Sequence, residues 1–138
     1  MDREEIKKYL PHREPMLLVD SSTIDGDTVH SQYTLPENAF YVQGHFPGNP
    51  VVPGVILCEI MAQSSVLLLQ DEMLHKMAFY AGIDAVRFKQ VVRPGDTVEV
   101  EARITGRRGV LITIAAKASV AGKTCCSGNL SFFLTDRT

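Results

Sequence analysis

Val55-Ile56-Leu57-Cys58-Glu59-Ile60-Met61-Ala62-Gln63-Ser64-Ser65-Val66-Leu67-Leu68-Leu69 is the longest apolar stretch of the chain, and how it folds decides the rest. It contains no Gly or Pro and runs on to about Met73, so it reads as one helix started by Pro53 or Gly54. Its apolar residues go nearly all the way round, the pattern of a helix buried on most of its faces. Glu59 and Gln63 interrupt the stretch and argue against a membrane span. The helix is expected at the centre of a domain.

The sequence on either side reads as the strands that would cover it. Downstream, Thr97 to Thr105 alternates, with Val98, Val100, Ala102 and Ile104 inward and Glu99, Glu101 and Arg103 outward, the mark of a sheet wetted on one side. Gly106 to Gly109 is expected to turn the chain into Val110 to Val120, and Ala121-Gly122-Lys123 into a last strand near Thr124 to Leu134. Met77 to Phe88 supplies a further strand or two before the turn Arg93-Pro94-Gly95-Asp96. Upstream, Met16 to Val19 and Thr28 to Leu35 read as a hairpin about Asp25-Gly26-Asp27, and Asp2 with Glu5 as the capping box of a short helix that Pro11 stops. Connections this short force antiparallel neighbours. One long central helix wrapped by a curved antiparallel sheet is an α+β roll, the hot-dog fold, and residues 1–138 read as a single such domain.

Composition narrows the function. A chain of 138 residues with 45% hydrophobic and 22% charged residues can build its own core without disulfides or metal. The net charge of −2 lacks the surplus of Lys and Arg that nucleic-acid binding draws on. The start, Met1-Asp2-Arg3-Glu4-Glu5, is too polar for a signal peptide, so a cytoplasmic, non-membrane protein is expected. Cys58, Cys125 and Cys126 have no ligand spacing and read as reduced, packed thiols; His12, His30, His45 and His75 form no i,i+4 pair, so no metal is expected.

Two residues stand out chemically. From Phe46 to Gln70 the only fully ionisable carboxylate is Glu59, and a carboxylate among apolar residues finds a partner, protonates, or faces a cavity. On residues alone it either does chemistry or merely reaches the sheet rim or an arginine. The loop Pro36 to Gly54 holds Pro36, Pro47, Pro50 and Pro53 yet also Phe40, Tyr41, Val42, Phe46, Val51 and Val52, so it is stiff rather than disordered. It carries His45, whose imidazole titrates near neutrality and suits a general base, although a lone loop histidine is more often structural.

Gly44-His45-Phe46-Pro47-Gly48-Asn49-Pro50-Val51-Val52-Pro53-Gly54-Val55, followed by Glu59 and Met61-Ala62-Gln63, resembles the signature of the bacterial 3-hydroxyacyl-acyl-carrier-protein dehydratases of the FabZ type. The resemblance extends through Leu10-Pro11-His12-Arg13, Leu17-Leu18-Val19-Asp20, Ala81-Gly82-Ile83-Asp84, Arg87-Phe88 and Pro94-Gly95-Asp96. It implies the hot-dog fold, His45 and Glu59 as the catalytic pair, a homodimer in which the two meet across the interface, and dimers often grouped into a hexamer. Glu at position 59, rather than Asp, favours the FabZ branch over the related dehydratase-isomerases. The chain departs from the pattern at Glu14, Ile60 and Cys125-Cys126, and Ile60 bears on chain-length preference through the width of an acyl tunnel.

Dehydration needs a base for the C2 proton, suited to neutral His45, and an acid for the C3 hydroxyl, suited to Glu59 if burial raises its pKa. The N–H of Gly54 at the helix start is placed to meet charge developing on the thioester oxygen, or else Gly54 serves loop geometry after Pro53. Phe46, Val55, Ile56 and Phe88 are expected either to line an acyl tunnel or to pack as core. Arg87, Lys89 and Arg93 are expected either to dock the acidic acyl carrier protein or to be a solvated surface. The reaction requires no cofactor. A hot-dog thioesterase and a non-catalytic acyl-binding module are the competing readings, distinguished by release of free thiol and by inactivity.

Overall fold

The apolar segment begins its helix where proline stops obstructing it. In the structure, a computed structural model that describes residues 1–137, helix α2 spans Gly54–Val66 with Pro53 as its N-cap. A short helix α1, Arg3–Ile6, precedes it, with the Asp2 carboxylate accepting from the Glu5 N–H at 2.9 Å. The expected single helix to Met73 is interrupted: Leu67–Leu69 tightens into a 3-10 turn before α3, Gln70–Met73. The tighter winding buries both Leu67 and Leu69 and carries α3 against the sheet. By length and composition Gly54–Met73 passes for a membrane span, but it is the core helix and most of it is buried.

Six strands form one antiparallel sheet: β1 Ser21–Asp25, β2 Thr28–Thr34, β3 Lys76–Phe88, β4 Thr97–Arg108, β5 Leu111–Val120 and β6 Lys123–Asp136, in the order β1-β2-β4-β5-β6-β3. The helix lies against β2, β4, β5 and β6. The alternation read in β4 is realised, with Val98, Val100 and Ala102 buried and Glu99, Glu101 and Arg103 exposed. Strand β4 runs further than expected, to Arg108, and the turn falls at Gly109, whose φ of +60° only a residue without Cβ adopts readily.

One expected strand is absent. Met16 to Val19 pairs with no strand, and β1 begins at Ser21 instead. Side chains take the place of a ladder: Gln63 of α2 accepts from the Leu18 N–H at 2.7 Å and donates to the Met16 carbonyl at 2.7 Å. Arg3 donates to the carbonyls of Leu17 and Val19 at 2.8 and 2.9 Å. The segment is thus buried, with Leu17, Leu18 and Val19 in the core, and stitched to both helices without joining the sheet.

Strand β3, reached only after the helix, lies at the open edge beside β6. Its register slips between Asp84 and Arg87, where Ala85 takes φ +52° and Gly128 of β6 stands opposite the bulge. A Cβ at Gly128 would lie 2.7 Å from Val86 Cγ2.

Candidate active site

The proline-rich loop folds back on itself around His45. Phe46 and Asn49 exchange backbone hydrogen bonds at 3.1 and 2.9 Å, the Val51 N–H donates to the His45 carbonyl at 2.7 Å, and Val52 is tied to the Val92 carbonyl at 2.7 Å. Gly48, at φ +74°, turns this miniature hairpin. The Phe46 ring stacks on the imidazole with centroids 4.3 Å apart. Nδ1 of His45 lies 3.4 Å from the Val51 carbonyl. A carbonyl only accepts, so that contact places the ring proton on Nδ1 and leaves the Nε2 lone pair for a proton from elsewhere.

Glu59 sits at the wall of a cavity of about 230 Å³, lined beyond it by apolar residues including Ala62, Val66, Met73, Met77 and Phe132. Its two oxygens are held differently. Oε2 accepts from Gln63 Nε2 at 2.9 Å and lies 3.5 Å from His12 Nε2, whereas Oε1 accepts from the Tyr80 hydroxyl at 3.2 Å. Gln63 cannot turn away, because its own oxygen is committed to Leu18 and its amide also to Met16. Burial by itself drives the Glu59 carboxyl toward the neutral acid, but the bonds from His12, Gln63 and Tyr80 outweigh it and hold the pKa below its usual 4.5. Burial is thus met by donors, so the condition set on Glu59 as an acid, a pKa raised by desolvation, is not fulfilled by the single chain alone. His12 has a buried Nδ1 with no partner among the described residues.

His45 and Glu59 are not brought into contact within the chain; no bond joins them among the described residues, and His45 does not line the cavity beside Glu59. Gly54 stands where expected, at the start of α2. The first backbone bonds to Pro53 come from Ile56 and Leu57, which leaves the Gly54 N–H without an acceptor among the described residues. The Phe88 ring covers the glycine so closely that a Cβ would lie 2.8 Å from its Cε1. Phe46, Val55 and Phe88 are exposed, at 54%, 74% and 56%, Ile56 is half-buried, and none of the four lines the Glu59 cavity. Arg87 and Lys89 are exposed, Lys89 just beyond the end of β3. Arg93 is exposed but engaged, donating to Asn49 Oδ1 at 2.8 Å and the Pro50 carbonyl at 3.3 Å, so it braces the His45 loop.

The residues that hold Glu59 were missing from the sequence reading as functional groups. Gln63 stood there as a polar break in the apolar stretch and, like His12, as a landmark of a resemblance, and Tyr80 only as part of a strand. The signal for Gln63 was its position four residues after Glu59 on one helix face. His12 and Tyr80 come from distant elements, and no local spacing announces them.

A family model described as ApeI-like, ApeI dehydratase, matches residues 21–129. Among solved structures, the chain is similar to the dehydratase heterocomplex ApeI:P from Xenorhabdus doucetiae, with a TM-score of 0.78 at 18% identity over 96% of this chain and 91% of that one. It is also similar to the uncharacterized protein PH1136 from Pyrococcus horikoshii, TM-score 0.72 at 14% identity over 94% and 93% of the two chains. At such identities the likeness establishes the hot-dog fold. Sequence relatives carry the argument further. The chain is 44% identical to the 3-hydroxyacyl-acyl-carrier-protein dehydratase FabZ of Clostridium perfringens over 96% of this chain and 97% of that protein. It is 38% identical to the protein of the same name from Oenococcus oeni over 97% and 99% of the two. With that identity sustained from end to end, and with the loop histidine and helix glutamate of the signature each set in a defined place, the chain belongs to the FabZ-type family of hot-dog dehydratases.

Proposed function

We propose that this protein converts 3-hydroxyacyl-acyl-carrier-protein to the trans-2-enoyl thioester in fatty acid biosynthesis, with His45 and Glu59 as its acid-base pair. The observation that carries the reading is a carboxylate fixed in the wall of an apolar cavity, in a chain of this family. Nε2 of His45 takes the C2 proton, the electron pair left on C2 forms the C2=C3 bond, and the C3–O bond breaks as Glu59 protonates the departing hydroxyl to water. The Gly54 N–H and the start of α2 receive the charge that builds on the thioester oxygen. Glu59 must hold a proton at that moment. Burial is the largest single influence on its carboxyl and already pushes upward, so an acyl chain filling the cavity adds to that push. The apolar wall from Ala62 to Met73 and Phe132 takes the acyl chain.

In this reading the pair assembles across a homodimer. The separation of His45 from Glu59 in one chain supports it, and so does the edge strand β3, which exposes Phe79, Ile83 and Phe88, the last covering Gly54 beside the likewise exposed Val55. Grouping of dimers into a hexamer rests on the family resemblance alone. Arg87 and Lys89 offer exposed cations to the acidic carrier, with Arg93 contributing through the loop it braces.

The test is enoyl thioester formation, followed by ultraviolet absorbance, from 3-hydroxyacyl carrier protein with wild type, His45→Ala and Glu59→Gln. Loss of dehydration in both folded variants is the expected result. Release of free carrier thiol by the wild type would replace this reading with a thioesterase, and inactivity of a folded wild type across chain lengths would replace it with an acyl-binding module.

A further inference from the structure

The Tyr80 hydroxyl has two acceptors in reach and one proton to give. It lies 3.2 Å from Glu59 Oε1 and 3.3 Å from the carbonyl of Cys58, on the same turn of α2. Its ring is stacked on Phe132 of β6, centroids 5.5 Å apart and planes inclined by 28°, so the hydroxyl is delivered by a fixed aromatic plate and need only rotate about its C–O bond. At Oε2 the near partner is no such rotor, because Gln63 at 2.9 Å can only donate to it and has its remaining valences committed, and the His12 imidazole stands farther off at 3.5 Å.

These positions assign Tyr80 a task. We propose that Tyr80 is a positioning residue that serves both protonation states of Glu59: it donates to Oε1 of the carboxylate, and when Oε1 carries a proton it accepts that proton's hydrogen bond while turning its own toward the Cys58 carbonyl. The inference rests on the reading of Glu59 as the group that protonates the departing hydroxyl, and it names Oε1 as the oxygen that does so. As Oε1 gives its proton to the substrate, the Tyr80 proton swings back from the helix carbonyl to the new carboxylate, and no polar atom is orphaned in either state.

The ionisable groups facing Glu59 come from each element around it. His12 approaches Oε2 from the N-terminal segment, Tyr80 approaches Oε1 from β3, and the buried Cys58 is its neighbour on α2. Among the described residues, His12 and Tyr80 are the only other ionisable side chains that line the cavity. Burial and the adjacent Glu59 charge both push the Tyr80 phenol upward, so it keeps its proton throughout and acts as a rotor rather than an acid.

Tyr80→Phe keeps the stacked ring and removes the rotor. In the dimeric enzyme labelled with 13C at glutamate side-chain carboxyls, with the Glu59 resonance assigned by its loss in Glu59→Gln, Tyr80→Phe is expected to raise the Glu59 titration midpoint by at least about half a pH unit, roughly threefold in ionisation constant. The acidic limb of the kcat/KM profile for dehydration moves with it, and kcat falls about tenfold. An unmoved midpoint in the folded variant overturns the proposal, whatever the activity. If instead Glu59→Gln still dehydrates substrate, the reading of Glu59 fails, while the carboxyl titration still judges the contact with Tyr80.

Discussion

Gln63 shows how much a single buried side chain organises here. One amide satisfies Leu18, Met16 and Glu59 together, joining the segment before the sheet, the helix and the candidate acid. Gln63→Met keeps the volume but orphans a buried N–H and a carbonyl, and is expected to cost about 2–4 kcal/mol in urea unfolding. Glu59 links stability to pH in a definite direction. Its folded-state pKa lies below the usual 4.5, so its contribution is complete above about pH 4.5 and is lost as pH falls through the lower folded value. Wild type is therefore expected to lose stability faster than Glu59→Gln on acidification below that point, in urea titrations at stepped pH. At Gly54, Ala would press on Phe88, but that ring is exposed and free to yield, and Ala favours the helix by about 1 kcal/mol. Gly54→Ala is expected to leave stability within about 1 kcal/mol of wild type while lowering kcat/KM about tenfold, as the ring and the thioester lose their close approach to the helix start. Where His45, Gly54 and Glu59 stand, on a stiff loop, at a helix start and inside an apolar helix, was legible in the sequence because these are local properties. The Glu59 protonation state was not, because its donors lie 47 positions upstream and 21 downstream, at His12 and Tyr80.

Elements were legible where hydrophobic period and neighbouring turns agreed. Strand β4 alternates against a wet face, and α2 is continuous and apolar between proline and its 3-10 break. Met16 to Val19 misled because a short apolar run reads alike whether its backbone bonds go to a strand or to side chains; only Gln63 and Arg3 decide it, and both lie far away in sequence. The bulge in β3 was equally hidden, since Ala85 carries no turn signature. What enables the bulge is the missing side chain opposite, at Gly128. Gly128→Val is expected to destabilise by about 2 kcal/mol, as its Cβ would meet Val86 Cγ2 at 2.7 Å and the Val86 backbone at 3.2 Å. Thermal unfolding would measure that loss, and an unchanged midpoint would show that β3 shifts register freely.

For the molecule as a whole, the fold was legible from the residues and the completeness of the site was not, since hydrophobic period and spacing carry no sign that His45 and Glu59 of one chain stay apart; only the family resemblance implied that they meet across a dimer. If each site takes His45 from one protomer and Glu59 from the other, unfolding and refolding His45→Ala together with Glu59→Gln creates mixed dimers with one intact site. Statistical pairing is then expected to restore about a quarter of wild-type dehydration from two inactive parents. No restoration, with mixed dimers shown to form, would put the whole site in one chain. The sealed thiols have a use of their own. Cys58 on α2 and Cys125 and Cys126 on β6 are all buried, and β6 is flanked by β5 and β3. A water-soluble thiol reagent therefore meets no cysteine until helix and strand separate, so the pace of its uptake is a built-in clock for the deep opening of the fold, slowed by whatever ligand holds the core shut.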